Sequence, residues 1–283
     1  MNIKIKNPKY KFCVLMPIFQ RDDIYKIIDK AILSIFENSI IPNQFIIIVD
    51  GPLKNKFVKK INFYKKKYKI QIIWLKQKSR GITLPLNKGL LKVETPFVAR
   101  ADGDDINESN RFERQISYAK KGYELIGSNI KEIDLKGKIL SEKKMPEKLI
   151  DIKRYSKIRN PFNHMTVFFK KDLAIKYGGY PDLYLKEDYG LWLKFIKNNR
   201  KIININSALV RATTGEDFYI KRRSGLEYVK SEYGISKHLF NLKINNLFEA
   251  IIILMLRVSF ILLFSKIKKI FYLKFLRTKI NNY

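Results

Sequence analysis

Four short apolar blocks recur across the first hundred residues, separated by three helix-like stretches, and this alternation narrows the possible folds more than any other feature. Phe12-Cys13-Val14-Leu15-Met16-Pro17-Ile18 and Phe45-Ile46-Ile47-Ile48-Val49 run without polar alternation. A strand with one wet face would alternate, so such runs predict strands buried on both faces. Ile70 to Leu75 and Phe97-Val98-Ala99 predict two more. Asp22-Asp23 can cap a helix whose Ile24, Ile27, Ile28, Ala31 and Ile35 fall on one face. Further helices are predicted over about 54–67 and about 83–93. The order β-α-β-α-β-α-β calls for right-handed crossovers between parallel neighbours, hence an open, largely parallel sheet. Beyond residue 100 short strands and helices mix, with a hairpin signal at Asp134 to Lys138.

Composition then removes several classes. The 283 residues include 57 Lys and Arg against 26 Asp and Glu, a formal charge of +31. With 46% hydrophobic residues the chain is not disordered. One cysteine, Cys13, permits no intrachain disulfide, and two histidines leave little room for a histidine-rich metal site. The N-terminus lacks the apolar run of a signal peptide. The positive charge suits an anionic partner, whether nucleic acid, an anionic membrane surface or a phosphorylated substrate. It fits equally a chain whose solvated faces are filled with lysine. A nucleic-acid-binding protein is one alternative reading, against which stands the lack of a recognisable nucleic-acid motif. A nucleotidyltransferase is another, but Pro17-Ile18-Phe19-Gln20-Arg21 lacks the glycine-rich, lysine-bearing loop it would want.

Against this basic background, Arg100-Ala101-Asp102-Gly103-Asp104-Asp105 is the outlier. Its three carboxylates follow a buried strand, at the carboxyl edge where open α/β sheets bind ligands. Carboxylates so close must be solvated, protonated or bridged by a cation, and oxygen donors suit Mg²⁺ or Mn²⁺. A solvated turn, with Asn107 or Ser109 capping the next helix, is the plainer alternative. Asp50 ends the second strand at the same edge and can accept hydrogen bonds from a base or ribose, or simply serve the turn at Gly51-Pro52. Further on, Leu191, Trp192, Phe195 and Ile196 share a helical face, which puts Glu187-Asp188 at that helix's N-terminus. There an acid is either a cap favoured by the helix dipole or a general base.

In this order the pieces resemble glycosyltransferase family 2, the inverting enzymes with a GT-A nucleotide-diphospho-sugar fold. The match runs over about residues 12–230 through Val14-Leu15-Met16-Pro17-Ile18, Val49-Asp50-Gly51-Pro52, Arg80-Gly81, Leu86-Asn87-Lys88-Gly89, the DGDD cluster with its DxD pattern, Gly178-Gly179-Tyr180 and Glu187-Asp188. Arg111-Phe112-Glu113-Arg114-Gln115 and Asn160-Pro161-Phe162-Asn163-His164 look like the amylovoran-type transferases of capsule, exopolysaccharide and O-antigen synthesis. The chain departs from that pattern at Gly103, where alanine is frequent, and at Gly190, where aspartate is; a glycine there is expected to loosen the helix's first turn.

The resemblance implies an α/β GT-A fold and transfer of a hexose or N-acetylhexosamine from a UDP-sugar to a polyprenyl-diphosphate-linked or glycan acceptor. It implies that Pro17 and Ile18 line the donor nucleotide, and that Asp50 and Arg80 meet its uracil end. Asp102 would sit near the ribose, Asp104 on a Mn²⁺ or Mg²⁺ ion, and Asp105 as an additional metal contact. Asp188 becomes the base, with Glu187 beside it. Arg222 and Arg223 would hold the departing diphosphate, and His164 lies on the acceptor side.

The expected organisation is a catalytic domain over 1–240, with a nucleotide-binding half at about 10–107 and an acceptor-binding half at about 108–240. A basic, apolar tail occupies 241–283. Residues 221–283 hold 13 basic and 3 acidic residues around the apolar run 251–264. That run is about 21 Å of helix against a hydrocarbon core of about 30 Å. Arg257 at its centre costs roughly 2.5–3.5 kcal/mol on insertion. A span is disfavoured. Lys266, Lys268, Lys269, Lys274, Arg277 and Lys279 favour an interfacial segment, which would seat a cytoplasmic enzyme peripherally on the inner face of the bacterial membrane. Packing on the body and an oligomer contact are the alternatives for the same stretch.

Overall fold

The first apolar block sends alternate side chains into two separate cores, which explains its lack of polar residues. The structure, a computed structural model, describes residues 3–4, 7–76, 81–214 and 225–262. After a two-residue strand β1 (Ile3–Lys4), the block forms β2 (Phe12–Ile18). Phe12, Val14, Met16 and Ile18 join one hydrophobic cluster, and Cys13 and Leu15 the other. Helix α1 (Asp22–Phe36) packs Ile24, Ile28, Ala31, Ile32 and Ile35 into the first cluster. Asp22 and Asp23 lie in its first turn, facing the positive helix end, while Arg21 takes the capping position.

A short β3 (Ile40–Ile41) pairs with β1. β4 (Gln44–Asp50), α2 (Asn55–Tyr68), β5 (Gln71–Leu75), α3 (Thr83–Leu90) and β6 (Phe97–Arg100) complete the predicted alternation. α3 ends short of the expected 93 because Lys92 turns its N–H back to Gly89 O at 2.9 Å. Strands β5, β4, β2 and β6 are adjacent and parallel, with Ile18 opposite Val49 and Leu15 opposite both Ile46 and Arg100.

The second half begins with β7 (Ile106–Asn107) and α4 (Arg111–Lys120), then β8 (Leu125–Ile133), β9 (Ile139–Lys143) and α5 (Leu149–Ser156). β10 (Phe168–Lys170), α6 (Lys171–Lys176), α7 (Glu187–Lys197) and β11 (Ile202–Thr213) follow. β10 lies antiparallel between β6 and β8, and β11 runs parallel to β8, so the nine-stranded sheet is mixed but mainly parallel. The expected hairpin joins β8 to β9, closed by Asp134 N–H to Lys138 O at 3.0 Å with Gly137 at φ 92°.

Two helices close the described chain, α8 (Leu226–Asn241) and α9 (Leu247–Leu262). α8 packs Ile235 and Leu239 into the second core. α9 is docked on the body: Ser236 donates to Ala250 O at 3.0 Å, and Lys157 reaches Glu249 at 2.8 Å. Its other side leaves Leu247, Phe248, Ile251, Met255 and Leu256 exposed. Among the described residues no helix is long and apolar enough to cross a membrane. The cluster Lys266 to Lys279 lies outside the described residues.

Candidate active site

Parallel register brings the ends of β2, β4 and β6 to one edge of the sheet. Asp50 sits there, buried, one residue beyond the Ile18–Val49 pairing. Pro17 and Ile18 are also buried, and Ile18 is enclosed by α1 and the loop after β6. This corrects one expectation: Ile18 is fully buried and its side chain is part of the core. A Cβ on Gly103 would lie 2.9 Å from Ile18 Cγ2 and 3.1 Å from Ile28 Cδ1, which is why glycine stands at that position.

The acidic loop divides by direction. Asp102 and Asp104 are half-buried at the edge, whereas Gly103 and Asp105 point into the protein. Arg100, itself fully buried, donates Nη2 to Asp102 Oδ1 at 2.7 Å. Arg21 pairs closely with Asp104 while its Nε holds Asp23 Oδ1 at 2.6 Å. Burial, then the neighbouring Asp102, pushes the Asp104 carboxyl up to about 6, with Arg21 opposing. Asp105 is raised well above the carboxylate range by burial, Asp104 and Asp102, and accepts the Thr213 N–H at 3.0 Å. It therefore fastens the loop to β11. Among the described residues no three metal-ligating side chains converge. The expected trio narrows to Asp104 with Asp102, because Asp105 is turned inward.

The other side of the site is built on α7, which begins at Glu187 as the apolar spacing predicts. Asp188 Oδ2 accepts Asn160 Nδ2 at 2.7 Å. Burial raises the Asp188 pKa, while the Tyr189 N–H, Asn160, Lys186 and Lys143 favour its ionised form. Glu187 beside it is buried. Gly190 does not loosen the turn: its N–H bonds Lys186 O at 2.8 Å, and a Cβ would come within 2.5 Å of Pro181 Cγ. The helix needs glycine there because the Pro181–Leu183 segment packs directly on its backbone.

Tyr180 connects the two sides. Burial raises its hydroxyl pKa, Arg100 opposes, and the charges of Asp188, Glu187 and Asp102 add to the rise, so the hydroxyl sits among groups from both halves. Asn87 on α3 clamps its backbone, accepting Tyr180 N–H at 2.9 Å and donating to Tyr180 O at 2.8 Å. Gly179, at φ 68°, has no room for a Cβ beside Asn87 Oδ1, 2.5 Å away. Two distant motif fragments thus meet. His164 Nε2 shares a hydrogen bond with the Tyr180 hydroxyl at 3.3 Å and packs its ring against Tyr180 and Trp192. Burial and Arg100 hold its imidazole neutral, so the structure places it as a support for Tyr180.

Sequence reasoning missed the parts played by Asn87, Asn160 and Arg21. The first two stood inside quoted motifs, Asn87 in Leu86-Asn87-Lys88-Gly89 and Asn160 in Asn160-Pro161-Phe162-Asn163-His164. Arg80, Arg222 and Arg223 lie outside the described residues.

The family model described as Glycosyl transferase family 2 matches residues 13–175. The chain is 34% identical over 273 residues to the UDP-Gal:alpha-D-GlcNAc-diphosphoundecaprenol beta-1,3-galactosyltransferase of Escherichia coli, covering 94% of this chain and 97% of that one. It is 31% identical to the amylovoran biosynthesis glycosyltransferase AmsE of Erwinia amylovora, over 78% of this chain and 82% of that one. Among solved structures, S. aureus TarS 1-349 in complex with UDP-GlcNAc matches with a TM-score of 0.67 at 19% identity, over 94% of this chain and 76% of that one. The mannosyltransferase PcManGT from Pyrobaculum calidifontis, in complex with GDP-Man and Mn²⁺, matches with a TM-score of 0.58 at 11% identity, over 89% and 75%. At those identities the structural likenesses speak to the fold alone.

Proposed function

We propose, on the premise that this chain belongs to glycosyl transferase family 2 with its GT-A fold, that it moves a hexose or N-acetylhexosamine from a UDP-sugar to a polyprenyl-diphosphate-linked or glycan acceptor in bacterial surface-polysaccharide synthesis. One observation carries the reading: β6, which leads into the Arg100–Asp102 pair, is hydrogen-bonded along β10, and the segment just before β10 supplies Asn160, which holds Asp188 at 2.7 Å. The donor edge and the base-bearing helix therefore share one site. The Escherichia coli relative, which takes UDP-Gal and a GlcNAc-diphosphoundecaprenol acceptor, supports a uridine donor and a diphosphoundecaprenol-linked acceptor.

Asp188 takes the proton from the acceptor hydroxyl as that oxygen attacks the anomeric carbon. A single displacement inverts the centre and needs no enzyme nucleophile, so one positioned carboxylate suffices. Burial suits Asp188 to this, since a base whose pKa is drawn toward neutrality gains proton-transfer driving force. Asn160 aims the carboxylate, and Glu187 and Tyr180 shape its surroundings. Asp50 is assigned to the uracil end, with Arg80 proposed beside it. Asp104 and Asp102 offer hard oxygen donors at the edge, a set that fits Mn²⁺ or Mg²⁺. Such an ion supplies positive charge to the departing nucleoside diphosphate. Arg222 and Arg223 are proposed for the same phosphates.

The exposed row Leu247, Phe248, Ile251, Met255 and Leu256 on α9, continued in sequence by a run of basic residues, supports a peripheral seat on an anionic membrane surface. The test is UDP release from UDP-galactose, UDP-glucose and UDP-GlcNAc, with synthetic GlcNAc-diphosphoundecaprenol as acceptor and Mn²⁺, Mg²⁺ or EDTA present. Metal-dependent release with one donor is expected, abolished in Asp104→Ala and Asp188→Asn. Full activity in Asp188→Asn would remove the base from the mechanism.

A further inference from the structure

Arg257 interrupts the apolar face of α9, yet it does not face outward. Its side chain is 15% exposed, and Nη1 reaches Glu232 Oε2 at 3.0 Å while Nη2 bonds Ile158 O. Glu232, on α8, is 7% exposed, and its other oxygen accepts Lys186 Nζ at 2.6 Å. Lys186 is the residue immediately before Glu187-Asp188, and it also donates to the Tyr228 hydroxyl at 3.1 Å. Three helices therefore meet at one carboxylate. Burial works against ionisation of Glu232, but Lys186 and Arg257 more than offset it and hold the carboxyl below its usual range. A carboxylate this deep persists as an anion only while its cations stay in place.

We infer that Glu232 is a positioning residue for the proposed base, and that the buried chain Arg257–Glu232–Lys186 braces the α7 turn carrying Asp188 against the tail helix α9. The inference rests on the reading of Asp188 as base. α9 is then more than an anchor. Its outer row is offered to the membrane, and its inner arginine fixes the end of the helix on which the proton is taken. The groups facing Asp188 are Lys186 and Glu187 from its own helix, Lys143 from β9, Asn160 before β10, and Tyr180. Among these, Lys186 is the cation whose place Glu232 sets.

The experiment follows kcat for UDP release against pH in the full chain, with Glu232→Gln, Lys186→Met and Arg257→Met. Glu232→Gln leaves the Lys186 cation unbalanced beside Asp188. Its acid limb should move down by about half a pH unit and kcat should fall about tenfold, with KM for the UDP-sugar within about twofold. Lys186→Met removes the cation and should move the limb upward. Arg257→Met leaves Glu232 undercompensated and should move it upward by less, whereas Arg257→Lys keeps the charge and should restore most of the shift. Opposed movements of this kind cannot come from loosened packing. An acid limb unmoved in Glu232→Gln, or in both Arg257 variants should Glu232→Gln not fold, overturns the inference. Activity retained in Asp188→Asn would instead sink the base reading on which it rests.

Discussion

Asn160 gives its side-chain amide to the Asp188 carboxylate, Nδ2 to Oδ2 at 2.7 Å, across 28 residues of sequence. Burial and this hydrogen bond pull the Asp188 titration in opposite directions, because burial favours the neutral acid and the amide favours the anion. Asn160→Ala should therefore raise the Asp188 pKa further. The acid limb of kcat moves to higher pH, and kcat at neutral pH drops about 10- to 100-fold. Asn160→Asp, which sets a like charge against the base, should be worse. A kcat–pH profile measured by UDP release decides, and an unmoved limb in Asn160→Ala would contradict the assignment.

Asp104 illustrates activity set against stability. Its carboxyl stands at about 6 in the folded chain, above its unfolded value, so the folded state holds a proton that the unfolded state has released. Stability then falls as pH rises through the window from about 4 to 6 and stays lowered above it. Asp104→Asn should gain about 1–2 kcal/mol at neutral pH, a few degrees in Tm, while transfer is lost. Below about pH 4 the gain should vanish. Thermal melts at both pH values test this.

Gly103→Ala looks conservative and is expected not to be. The new methyl would sit 2.9 Å from Ile18 Cγ2 and 3.3 Å from Ile24 Cγ2, with branched side chains that cannot swing away. Overpacking here should cost about 1–3 kcal/mol. The end of β2 must shift to accept it, so KM for the donor should rise while kcat changes less. A wild-type Tm would refute the steric account.

Asn87→Ala removes both hydrogen bonds that hold the Tyr180 backbone. Leaving those groups without their partner should cost about 1–3 kcal/mol. Because Tyr180 stands between donor edge and base, kcat should fall more than the loss of folded protein explains. Circular dichroism melts alongside kinetics separate the two effects.

The strands β2 and β4 were legible because their apolar blocks are buried twice over, Phe12 on one side of the sheet and Cys13 on the other, whereas β5 is an edge strand that leaves Gln71 and Trp74 exposed. The position of Asp188 was legible too, since Leu191, Trp192, Phe195 and Ile196 fix the phase of α7. The clamps were not. Asn87 reaches Tyr180 over 93 residues and Asp105 reaches Thr213 over 108, and no local pattern carries that information. Ile18 was misread for a related reason: an apolar run marks a strand but not which of its last side chains stays inside. Gly190 was read from helix propensity alone, whereas its reason is the contact with Pro181.

The acidic loop is sewn to the second half of the sheet at two places, through β10 lying between β6 and β8 and through β7 pairing with β11. Such a sheet has no hinge line between the halves that carry Asp102 and Asp188. Sliding one past the other would break both ladders together with the Asp105 tie, so on the proposed roles of Asp102 and Asp188 the spacing between departing phosphate and incoming hydroxyl is inherited from the scaffold. Exchange of one sugar for another among chains of this architecture must then proceed by altering side chains around a fixed gauge, and a graft of one half onto a foreign partner should lose turnover long before it loses nucleotide binding.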